Sequence, residues 1–70
     1  MTENITFLHF GEELPYKIPL HLSNIPRKGE SFIYHQEGIP PGMVTEVGHE
    51  VKVKDDAVLH YIHIHLQPDL

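Results

Sequence analysis

Cysteine is absent from the chain, so no disulfide and no cysteine-based zinc site is available to it. Small secreted domains usually need such staples, so a reducing cytoplasm is the expected compartment. Cationic residues are scarce. Five lysines and arginines stand against ten acidic residues, for a formal net charge of −5. Phosphate contacts need clustered cations, so nucleic acid is not an expected partner. No apolar run approaches the roughly 18 residues of a membrane-crossing helix. The start, Met1-Thr2-Glu3-Asn4, lacks the basic and apolar segments of a signal peptide, and no membrane role is expected. Length excludes more. Seventy residues hold a single domain, residues 1–70, too small for a doubly wound nucleotide-binding fold or a (β/α)8 barrel.

Helix-friendly sequence is scarce too. Alanine occurs once, at Ala57, and six prolines and five glycines cut the chain into short pieces. Both residue types disfavour helix interiors. Only residues 49–67 form a long stretch free of both. Val, Ile, Phe, Tyr and Thr supply 21 residues, which suits pleated, half-buried surfaces. The composition predicts an all-β fold: a small SH3-like barrel or rolled antiparallel sheet of about five or six short strands.

Residues 5–10 read as a first strand, apolar on both parities and therefore open to cover on both faces. Tyr16-Lys17-Ile18 and Leu20-His21-Leu22 alternate around Pro19, which marks an edge strand or a break. Residues 31–35 and 43–47 read as strands separated by a loop that ends in Pro40-Pro41-Gly42. Gly48 is placed as a bulge. Val51-Lys52-Val53-Lys54, the turn Asp55-Asp56-Ala57 and the alternating residues 58–66 read as a hairpin. A helix beginning at Asp56 competes, because Asp caps helices and Val58, Leu59, Ile62 and Leu66 share a helical face. The Ile62-x-Ile64-x-Leu66 alternation favours the strand.

Three segments in order, residues 25–30 (a P-x-x-G-[DE] turn), residues 42–49 (a V-x-x-V-x-H strand) and residues 62–66 (a closing alternating strand), carry a resemblance. Over residues 25–66 the chain resembles short bacterial and phage proteins of unknown function with a small SH3-like barrel pattern. The resemblance implies a fold, transfers no site residue, and points to an inhibitor or accessory factor of a mobile element.

Candidate site residues come from the local chemistry. His63 and His65 lie two apart on a strand and share a face with Tyr61, while Val58, Ile62, Ile64 and Leu66 take the core side. Two imidazoles at that spacing can reach one metal. A closed tetrahedral site needs two further ligands, which His49, His60, His21 or a carboxylate would have to provide. A flat patch of tyrosine and neutral imidazoles suits protein recognition better, so no metal or other cofactor is expected. Arg27-Lys28, on a Pro/Gly turn, can grip a carboxylate or phosphate. The loop carrying His35 and Ile39 appears as a recognition loop, stiffened by prolines and exposing an isoleucine. Lys52 and Lys54 share one face of an outer strand and guard its edge. The seven histidines would carry the formal charge from −5 to +2 on full protonation.

Catalysis has little support. Ser23 and Ser31 lie in no G-x-S-x-G elbow, and no phosphate-binding glycine loop is present. The expected function is a non-enzymatic protein-binding module that occupies a partner's surface. The alternative is a small-molecule or metal-binding homo-oligomer with histidines between subunits. Domains near this size are marginal alone, so a homo-oligomer, foremost a dimer, is expected at a sheet edge near the C-terminal strand.

Overall fold

A computed structural model describes residues 2–68. Strands β1 (Thr2–Phe10), β2 (Tyr16–Ile18), β3 (Ser31–Phe32), β4 (Gly42–Lys54) and β5 (Ala57–Pro68) form one sheet in the order β2-β1-β5-β4-β3. The fold is all-β, and its sheet curls into a half-barrel. Among the described residues no α-helix interrupts it, and one 3-10 turn spans Leu22–Asn24. The candidate helix at Asp56 is therefore strand.

Most neighbours are antiparallel, but the central pair is not: β1 runs parallel to β5 over nine paired positions. That departs from a purely antiparallel roll. A parallel pair needs a long crossover, and residues 11–56 provide it by building the rest of the sheet. The register sets Thr6 beside Ile62, Leu8 beside Ile64 and Phe10 beside Leu66. These six residues are all buried, and with Ile18, Ile39 and Val44 they make the core face. Side chains alternate across a strand, so the intervening residues share the opposite face.

The long axis belongs to the β4–β5 hairpin. At about 3.4 Å per residue, a thirteen-residue strand reaches the 44 Å of the longest dimension. The hairpin closes on Asp55 and Asp56, with Lys54 paired to Ala57 and Asp55 in the left-handed region at φ 53°. Aspartate tolerates that conformation better than most side chains. At the other end Gly42 passes close to β5. A Cβ there would stand 2.8 Å from the Gln67 carbonyl oxygen, so only glycine fits.

The bulge lies at Thr45, not at Gly48. Val44 pairs with Leu66 and Glu46 with His65, so Thr45 is the extra residue. Its hydroxyl donates to the His65 carbonyl at 3.1 Å. Before the bulge Val44 points into the core; after it Val47 does, and Glu46, Glu50 and Lys52 turn outward beside β5's outer residues. Gly48 pairs regularly with His63.

Three other segments differ from the sequence-based expectation. Residues 20–22 are not strand: His21 caps the 3-10 turn, its Nδ1 accepting from the Ser23 N–H. The strand expected over residues 31–35 stops at Phe32. β1 begins at Thr2 and is buried on one face only. The break at Pro19 holds, because β2 ends at Ile18.

Thr6 is the flaw in the core. It is 1% exposed, and its Oγ1 has no hydrogen-bond partner among the described residues. An unpaired buried hydroxyl costs about 1–3 kcal/mol. Thr6→Val should therefore raise stability by about 1 kcal/mol in urea denaturation. Ile64→Lys, which buries an unpaired cation between Leu8 and Val47, should leave the chain unfolded by circular dichroism.

Candidate functional site

The outer face of β1 and β5 is aromatic. The register that buries Leu8 beside Ile64 places Phe7 and His9 among Tyr61, His63 and His65. Phe7 stacks on Tyr61 with centroids 6.1 Å apart and on His63 at 5.6 Å. His9 stacks on His65 at 4.6 Å and lies tilted against His63 at 5.0 Å. Five rings thus form one ladder across two strands. Lys52 on β4 extends it, its Nζ 5.3 Å from the Tyr61 centroid. Among the described residues no layer covers this face, and its rings range from half-buried to exposed.

Hydrogen bonds tie the ladder across three strands. His9 Nε2 and His63 Nδ1 are 2.8 Å apart, and His63 Nε2 is 3.4 Å from Glu50 Oε1. One tautomer set satisfies the whole row: His9 Nε2–H donates to His63 Nδ1, and His63 Nε2–H donates to Glu50. The inner face carries a second row running the other way. His49 Nδ1–H donates to His60 Nε2 at 2.8 Å, and His60 Nδ1–H donates to Asn4 Oδ1 at 3.1 Å. Each row uses neutral imidazoles as both donors and acceptors. Charging both rings of a pair puts two N–H groups face to face, whereas charging only the donor, His9 or His49, leaves its bond in place.

Ring nitrogens engaged with each other are poorly disposed to share a cation. Among the described residues no cluster of three histidines or carboxylates is placed to hold a metal. Parity is as expected for His63 and His65, which face outward with Tyr61, and for His60, which faces the opposite side.

The remaining candidates lie elsewhere. Arg27 and Lys28 rim an open groove of about 350 Å3 on the inner side, walled by Leu22, Ile25, Pro26 and Val47. The turn that holds them is fixed by Glu30, whose carboxylate accepts from the Arg27 N–H at 2.5 Å. His35 is exposed on its loop, away from the ladder. Ile39 overturns its expectation: it is 8% exposed and belongs to the core. The Ile39 N–H donates to the Gln36 carbonyl at 3.1 Å, and Gly38 at φ 88° allows the turn. The loop folds its one isoleucine inward, so Ile39 is no contact residue. Phe7 and His9 belong to the ladder but escaped sequence reasoning. Their alternation with Leu8 was visible; their neighbours on β5 were not.

His9 sits below the ordinary histidine pKa of 6.5, first because burial disfavours its charged form, then because His65 and His63 would repel it. An unfolded His9 then binds more protons than the folded one as the pH falls past 6.5. Its contribution is complete above 6.5 and is lost as pH drops from 6.5 through the lower folded value. Urea midpoints should therefore fall between pH 7.5 and 5.5. His9→Phe, which keeps a ring in the stack without titrating, should make that slope shallower.

No protein-family model matches the chain, and no curated protein or solved structure shows significant similarity to it.

Proposed function

We propose that this chain is a non-enzymatic protein-binding module whose recognition surface is the outer face of β1 and β5. The ladder of Phe7, Tyr61, His63, His9 and His65 carries this reading. Rings of this kind offer large contact area and lose little side-chain freedom on binding. Cross-strand stacking fixes the rings before a partner arrives, and preorganisation of this kind saves ordering entropy. Neutral imidazoles add hydrogen-bonding groups without the desolvation cost of a charge. Such a surface suits an inhibitor or accessory factor, which needs only to occupy a site on another protein.

Arg27, Lys28 and His35 stand apart from this surface. They are not part of the proposed contact, which replaces the broader set expected from sequence.

The test is affinity capture from the native host with the wild-type protein and two face variants, Tyr61→Ala and the double variant His63→Ala/His65→Ala. Truncating a central interface aromatic typically costs about 2 kcal/mol or more, on the order of 30-fold in affinity. Both variants should keep a sheet spectrum and lose the captured protein. Binding should also weaken as the pH falls through the lowered pKa of His9, which adds a charge to the stack. A partner retained equally by both variants would place recognition on another surface.

A further inference from the structure

We infer that two copies of this chain pair antiparallel through the free edge of β4, centred on Val51, to form one continuous sheet. This goes beyond the binding role of the outer ring face and uses the strand edge beside it, where Glu50 and Lys52 also touch His63 and Tyr61.

The edge is open. β3 pairs only with Gly42 and Met43. The Gly29 N–H donates to the Val44 carbonyl at 2.8 Å, and the Val44 N–H donates to the Glu30 carbonyl at 2.9 Å. Beyond the bulge, from Glu46 to Lys54, β4 has a strand on one side only. An open edge of that length is a template for another strand. The inner face beside it is uncovered as well: Val51 is 59% exposed and Val53 72%.

Charge and sterics select the occupant and the register. A second copy related by a twofold axis presents the same strand reversed. Centring on Glu50 or on Lys52 sets like charges against each other on the axis, which is unfavourable across a strand pair. Centring on His49 brings the partner's Lys54 level with Val44, a position already taken by Gly29 and Glu30. Centring on Val51 avoids all three conflicts. Glu50 then faces the partner's Lys52, and Lys52 the partner's Glu50, on the outer side. Val51 meets Val51 of the partner subunit, and Val53 meets the partner's His49, on the inner side. Gly48 leaves room for the partner's Lys54, since nothing stands within 4 Å of a Cβ built there.

The same register gives the cationic groove an occupant. The partner's Asp55 comes level with Val47, which walls the groove rimmed by Arg27 and Lys28, and the partner's Asp56 comes level with Glu46. One aspartate of the hairpin tip thus meets a basic rim, twice per dimer. The lysines expected to guard the edge serve here as half of a self-complementary pattern.

Light scattering across a dilution series should show a concentration-dependent rise from the 8.1 kDa of one chain to twice that mass. Glu50→Lys and Lys52→Glu each set like charges across the axis twice, so each variant should stay at one chain mass with its sheet spectrum intact. Mixed in equal amounts, the two variants restore opposite charges at both positions, and the doubled mass should return. High salt should weaken the wild-type dimer. A wild-type protein that keeps one chain mass at every concentration overturns the inference. So does a dimer that survives both single substitutions, or a mixture that stays monomeric. A dimer abolished by Tyr61→Ala but untouched by Glu50→Lys would move the contact to the ring face and overturn it too.

Discussion

The parallel pairing of β1 with β5 sets everything else. Its register is shared by two surfaces with different tasks. The positions that bring Leu8 to Ile64 and Phe10 to Leu66 also bring Phe7 and His9 between Tyr61 and His65. Because strand side chains repeat every two residues, a slip of one position would exchange the faces. It would drive imidazoles into the core and strip the stack from the surface. Core packing therefore fixes the ring ladder: the apolar side holds the strands in place, and the outer side inherits their alignment.

Around this pair the sheet is covered unevenly. Short β2 shields only the middle of β1, from Thr6 to Leu8. Short β3 shields only the base of β4. The loops between them, held by Pro26 and Ile39, close over one end of the half-barrel and leave the hairpin arm bare. A 70-residue chain buries too little surface to cover a 44 Å hairpin with its own loops. The rows His9–His63–Glu50 and His49–His60–Asn4 cross the central strands on opposite faces and add polar ties where apolar cover is thin.

Much of this was readable from period and punctuation. The alternation over residues 58–66 assigned those side chains of β5 to their faces, and of the two readings of Pro19, edge strand or break, the structure shows the break. Local pattern could not say which strand lies beside which. The His9 partner of His63 comes from 54 residues away, through a parallel pairing that no turn motif announces. Ile39 was misjudged because an isoleucine in a Pro/Gly loop reads as exposed, whereas a glycine-assisted turn buries it. The bulge did leave a trace. Apolar positions switch from Val44 to Val47, Val51 and Val53, an even-to-odd change that requires one extra residue between them.

That extra residue, Thr45, gives β4 something like a reading frame. Upstream of it the strand is written in one frame and downstream in the other, and both are correct only because a single residue is left out of the ladder. Deleting Thr45 itself would only make the ladder regular, with Val44 inward and Glu46 outward as before, whereas one residue added between Val47 and Glu50 would turn Glu50, Lys52 and Lys54 toward the concave side and present Val51 and Val53 beside the rings. An inserted residue at the hairpin tip is absorbed by a loop; the same change in the middle of β4 is a frameshift written in three dimensions. The arm is thus far less tolerant of changes in length than of changes in side chain, and Thr45, left out of the ladder, is the one extra residue its register absorbs.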